Sequence, residues 1–250
     1  MVLVSSKEAI QPPADGVETF TVKVDGDSIF LRKAGQGPPV LLLHGGASDS
    51  SDWLGTMVPL SSWRTFYAPD LIGFGASDRN RDGYRLSHFT ESVNGLIETL
   101  GLATPLPVVG HSLGGRIALD LALRHPRQVQ RLALVDTAGF TRLARWGNLL
   151  GTAAFSLRRL LRRRQPYPRF MMENGAMPHW LCLDQLHRIK VPILMVWSSH
   201  DPYYSIKGAL KARELMPQAR LEILPGYGHA PHRTETESFN RLLASFLDQP

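Results

Sequence analysis

A single cysteine, Cys182, stands among 250 residues, which rules out an internal disulfide and a cysteine-clustered metal site. Long apolar runs are also missing. The longest, Val40–Leu43 and Val191–Trp197, fall far short of the roughly 20 residues that cross a bilayer. The opening MVLVSSKEAI lacks the apolar core of a secretory signal, so a cytoplasmic location is expected. Repeats and low-complexity tracts are absent apart from one arginine cluster. Without staples the fold must rest on packing, and a chain of this size buries roughly three quarters of its unfolded surface.

Acidic residues are scarce in one place. Of 28 Lys plus Arg, nine Arg fall within residues 140–188, against only Glu173 and Asp184. No zinc-finger, basic-zipper or RNA-recognition signature accompanies them, so no nucleic-acid partner is expected. The basic stretch is a local feature.

What is present is an alternation of short apolar strands and amphipathic helices. Residues 1–16 are polar and turn-rich and read as a loose arm. Val17–Val24 and Ser28–Leu31, separated by Asp25-Gly26-Asp27, have the alternation of a hairpin. Val40–Leu43, Thr65–Ala68, Pro107–Val109, Arg131–Val135 and Ile193–Trp197 then read as buried strands bounded by Gly, Asp, His or Ser, and Leu221–Leu224 reads as a last strand. Helices are expected over Ser87–Leu100, with Ser87 as N-cap and Gly101 as stop, over Gly114–Arg124, Ile206–Leu215 and Glu237–Leu247. The pattern is that of an α/β fold with a mostly parallel central sheet and helices on both faces. Residues 141–187 interrupt it at a length too great for an ordinary crossover. They read as a short basic insertion between core segments 17–140 and 188–250.

The sharpest chemical signal is Gly110-His111-Ser112-Leu113-Gly114, a G-x-S-x-G pattern after an apolar strand and before a helix. A serine hydroxyl is inert at its own pKa, so it needs a sharp, exposed turn and a base within reach. Further blocks follow the same logic of polar residues at strand ends: His44-Gly45-Gly46, Asp70 through Asp78, Ser199-His200-Asp201-Pro202, and Gly226 through His232.

On these five ordered blocks the chain resembles the α/β-hydrolase family over residues 17–249, and the Gly-His-Ser-Leu-Gly elbow is similar to its serine esterase branch, which includes the pimeloyl-acyl-carrier-protein methyl ester esterases. The resemblance implies a triad in the chain order Ser112, Asp201, His229. Asp136 is the alternative acid, and His232 competes with His229 as base. The oxyanion donors implied are the backbone N–H groups of Leu113 and Gly46. His44 and His111 are expected to order loops; His125 and His187 are expected at the surface or at helix caps. Trp53, Met57, Phe74, Phe140, Trp146, Met171, Met172 and Trp180 are candidates for lining an acyl pocket or for plain core.

The function implied is a carboxylesterase acting on a small-molecule ester through an acyl-enzyme, with no cofactor and no metal. Carbon–carbon bond hydrolase, thioesterase and lactonase activities remain open alternatives, as does a hydrolase-fold ligand receptor with little turnover. The insertion resembles the cap of this family. Its arginines are either a solvated face or a site for an anionic partner, such as an acyl carrier protein or a membrane surface.

Overall fold

The computed structural model describes residues 16–79, 84–142 and 181–249, together with Ala153, Ser156, Leu157 and Leu160. The N-terminal arm and most of the basic insertion, including Trp146, Met171, Met172, Trp180 and the arginine cluster, lie outside the described residues.

Among the described residues, eight strands form one sheet: β1 Val17–Val24, β2 Asp27–Ala34, β3 Pro39–Leu43, β4 Thr65–Pro69, β5 Leu106–His111, β6 Val129–Val135, β7 Ile193–His200 and β8 Ala219–Tyr227. Their spatial order is β1-β2-β4-β3-β5-β6-β7-β8. Only β2 runs antiparallel to both of its neighbours; the six strands from β4 to β8 pair in parallel. The first turn is tighter than the three residues expected. Asp25 and Gly26, at φ +49° and +90°, make a two-residue turn of the type that matches strand twist, and β2 runs on to Ala34.

The inner parallel strands β3, β5, β6 and β7 are largely buried on both faces, and their side chains sort by the period of two. Leu41, Leu43, Leu132, Leu134, Ile193 and Met195 face one core with the helices Leu86–Thr99, Leu113–Arg124 and Ile206–Leu215. Val40, Leu42, Ala133, Val135, Leu194 and Val196 face the other, covered by the helices Leu54–Leu60 and Thr236–Leu247. The Leu54–Leu60 helix carries Pro59 and is preceded by a short 3-10 segment, Ser50–Trp53. It is too short and too proline-marked to stand out by periodicity.

Two local expectations need correction. Ser87 lies inside the Leu86–Thr99 helix, not at its cap; Arg85 takes the cap position, and its backbone N–H donates to His88 Nδ1 at 3.1 Å. Cys182, Leu186 and Ile189 belong to the main core, with Cys182 N–H donating to the carbonyl of Gly139 at 3.0 Å. The core therefore resumes near residue 182, ahead of the boundary at 188 read from the sequence. Gly101, by contrast, ends its helix at φ +58° with paired bonds from Gly101 N–H to Glu98 and from Leu102 N–H to Ile97, a Schellman closure.

Candidate active site

Strand β5 delivers Ser112 to the carboxyl-terminal edge of the sheet, where the chain reverses into the Leu113–Arg124 helix. The reversal forces Ser112 to φ +50° and ψ −110°, a region that side-chain-bearing residues rarely adopt. Three backbone bonds hold it there: Ser112 N–H donates to Val135, and its carbonyl accepts from Arg116 and Ala138, at 2.9, 3.1 and 3.1 Å. The flanking glycines are required by space. A Cβ on Gly110 would lie 2.4 Å from the carbonyl oxygen of Gly114, and one on Gly114 would lie 2.2 Å from that of Leu43.

Strand β7 ends at His200 and places Asp201 just beyond the edge; β8 ends at Tyr227 and places His229 two residues on. Side chains far apart in the chain thus meet. His229 Nε2 lies 2.8 Å from Ser112 Oγ, and His229 Nδ1 lies 2.8 Å from Asp201 Oδ2. A carboxylate only accepts, so Nδ1 carries the proton and Nε2 presents its lone pair to the serine hydroxyl. Asp201 is held in turn by the N–H of Tyr203, which donates to Oδ1 at 2.7 Å. Burial lowers the pKa of His229 below its ordinary value, opposed by its hydrogen bond to Asp201.

Asp136, at the end of β6, reaches His229 Nδ1 only at 3.9 Å. Its carboxylate instead accepts from the Ser198 N–H and hydroxyl, both at 2.8 Å. Burial, then the neighbouring charge of Asp201, pushes its pKa up to about 7. Between the two acids weighed from the sequence, Asp201 is the one in hydrogen-bond contact with the imidazole. His232 does not reach Ser112; it is buried in the short helix Pro231–Thr234, its ring tilted against Trp53 at 4.4 Å between centroids and 3.5 Å from Asp52.

Of the oxyanion candidates, Leu113 is the first residue of the elbow helix and is buried. Gly46 sits half-buried in the turn after β3. That turn lies against Ser112, since a Cβ on Gly45 would be 3.3 Å from the Ser112 Cβ. His44 orders the same region: its Nε2 accepts from the Leu71 N–H at 2.9 Å and its Nδ1 donates to the Gly45 carbonyl at 2.7 Å. Burial lowers its pKa and keeps it in this neutral tautomer. The Asp70–Asp78 block is a knot tied by Asp70, which accepts from the N–H groups of Ser50 and Ala76. His125 caps the elbow helix and contacts Glu91 at 3.0 Å; His187 is exposed.

Trp53, Met57, Phe74 and Phe140 are buried in the two cores, so these four are packing residues. Tyr203 and Tyr204, which no motif had singled out, stand against His229 with ring centroids 5.1 and 5.4 Å away. Asp52 was also missed. In sequence it shares a polar loop with Asp49, which caps the Ser50–Trp53 segment by accepting from the Ser51 N–H at 2.8 Å. Among the described residues, Asp136, Asp201 and His229 form one set of oxygen and nitrogen donors with metal-like spacing, and Asp52, His111 and His232 form another. The first is the hydrogen-bonded site above, and in the second the Arg233 guanidinium already lies 3.0 Å from Asp52. No helix among the described residues is long and apolar enough to cross a membrane.

The sequence model of the alpha/beta hydrolase fold matches residues 38–171, more than half of the chain. The chain belongs to the α/β-hydrolase family. Among its hydrolase relatives, the 2-hydroxymuconate semialdehyde hydrolase of Pseudomonas putida is 29% identical over 87% of this chain and 89% of its own. The fold of a bacterial membrane phospholipase A superposes with a TM-score of 0.79 at 25% identity, covering 94% of this chain and 86% of that one. Carboxylesterase CesB of Bacillus subtilis gives 0.80 at 24% identity, covering 95% and 93%. At that identity the likeness is one of fold.

Proposed function

We propose that this α/β-hydrolase cleaves carboxylic esters through an acyl-enzyme, with Ser112 as nucleophile, His229 as base and Asp201 as the acid that orients it. The observation that carries the reading is the pair of 2.8 Å contacts made by the two ring nitrogens of His229. Ser112 Oγ attacks the ester carbonyl carbon while its proton passes to His229 Nε2. Asp201 stabilises the imidazolium without taking the proton. The N–H groups of Leu113 and Gly46 receive the developing oxyanion, each contributing on the order of 3 kcal/mol. The tetrahedral species collapses as the carbon–oxygen bond to the alcohol breaks and His229 returns the proton to the leaving oxygen. Water, deprotonated by His229, then releases the acid and restores Ser112.

A second reading is favoured by the relative named as a 2-hydroxymuconate semialdehyde hydrolase: the same three side chains serving carbon–carbon bond hydrolysis, since a triad alone does not fix the scissile bond. A chain-length series of p-nitrophenyl esters, run beside a meta-cleavage dienoate and an acyl thioester, separates these. Fast ester turnover abolished in Ser112→Ala supports the esterase reading, and preferential turnover of the dienoate supports the second. Tight ligand binding with negligible turnover of all three would replace both with a receptor.

A further inference from the structure

His229 follows two glycines, Gly226 and Gly228, at φ +139° and +142°, conformations open to glycine and costly to other residues. That stretch is tied to β7, with Gly226 N–H donating to Ser199 Oγ at 3.1 Å and Gly228 N–H to the His200 carbonyl at 3.3 Å. A second set of contacts bears on residues 229–233 from the other side. One buried carboxylate, Asp52, with its side chain 2% exposed, lies beside His111, His232 and Arg233. Asp52 Oδ2 lies 3.6 Å from His111 Nδ1, and the His111 Nε2 on the far side of that ring donates to the backbone carbonyl of His229. The same oxygen lies 3.5 Å from His232 Nε2, while Oδ1 accepts from Arg233 Nη1 at 3.0 Å.

His111 is also wedged against the turn after β3, since a Cβ on Gly45 would fall 2.6 Å from its Nδ1. Trp53, the neighbour of Asp52, packs its ring against His232 at 4.4 Å between centroids. Burial by itself would raise the Asp52 carboxyl, yet the neighbouring His111 and His232 rings hold it well below the usual carboxylate range. Among the described residues, its one direct side-chain hydrogen bond comes from Arg233.

We propose that Asp52 and His111 are positioning residues for His229: Asp52 anchors His111, His232 and Arg233, and through them holds residues 229–233 so that the imidazole stays between Ser112 and Asp201. The inference rests on the reading of Ser112, His229 and Asp201 as the reacting groups. Asp52 acts electrostatically as well, because its negative charge favours the protonated form of His229. The other groups facing that ring are Asp201, Asp136, His111, Ser112, Tyr203 and Tyr204.

The test is made on the full chain, with a short-chain p-nitrophenyl ester, fluorophosphonate labelling and near-ultraviolet dichroism to confirm folding. His111→Ala and Asp52→Asn should lower kcat by roughly 10- to 100-fold while KM stays within about threefold, as expected when a reacting group is misplaced by about 1 Å. His111→Gln, which keeps an N–H donor, should recover part of the loss. In Asp52→Asn the acid limb of the kcat profile should move to lower pH, a shift that loosened packing does not produce. Folded His111→Ala with wild-type kcat, or Asp52→Asn with an unmoved acid limb, would overturn the proposal. If Asp52→Asn fails to fold, the two His111 variants decide it. Wild-type protein that neither turns over ester nor accepts the probe would sink the esterase reading itself, and this inference with it.

Discussion

The hydroxyl of Ser112 lies 2.8 Å from His229 Nε2 while the serine backbone is held at φ +50°. The same turn that aims this hydroxyl stores strain, on the order of 1–3 kcal/mol for such a conformation. Ser112→Gly should therefore be inactive yet more stable than wild type by about 1 kcal/mol, raising Tm by roughly 2–4 °C. Ser112→Ala should lose about a million-fold in kcat without that gain. Calorimetry beside ester kinetics checks both.

The two carboxylates near His229 should prove unequal. Asp201→Asn removes the acceptor that fixes the tautomer and should cost about 10,000-fold in kcat. Asp136→Asn leaves the 2.8 Å contact to Asp201 in place and should cost less than about tenfold. Comparable losses in both variants would mean that the acids share the role.

Activity should persist as pH falls below 6.5. The base form of His229 is required, and burial holds its pKa below that value. The acid limb of kcat/KM for an ester whose own ionisation is silent should accordingly inflect below 6.5; an inflection above it would contradict the desolvated setting of the ring.

Stability should respond to pH in the opposite sense at Asp136. Its folded pKa is raised to about 7 from 3.8, so between those values the native state keeps a proton that the unfolded chain has released. That contribution falls as pH rises from about 4 to about 7. Asp136→Asn should lose this dependence, which urea midpoints across the same range would reveal.

Packing at the elbow sets a further limit. Gly114→Ala would place a Cβ 2.2 Å from the Leu43 backbone oxygen, which no side-chain rotation relieves. A loss of at least about 2 kcal/mol is expected in denaturant unfolding.

Much of this arrangement is legible in the residues alone. The strands of the parallel sheet announce themselves as short continuous apolar runs, because both of their faces are covered. Ser112 is visible because a sharp strand-to-helix turn demands glycine at fixed offsets, as the clashes at Gly110 and Gly114 show. Asp201 and His229 stand out because they follow strands directly. The elements that escaped notice, the Ser50–Trp53 segment and the Leu54–Leu60 helix, are short and irregular in pattern.

The tertiary structure decided what spacing cannot encode. Asp136 and Asp201 both end strands of one sheet, and only the fold puts one at 2.8 Å and the other at 3.9 Å from the same nitrogen. Nothing in the sequence links His111, His232 and Asp52 to one another; they become a buried cluster because β5, the segment after β8 and the loop after β3 converge at one edge of the sheet. Local patterns record periodicity and turn chemistry, which depend on neighbours in the chain; distances between side chains more than a hundred positions apart depend on how the strands are ordered, and that order is set by packing the whole sheet.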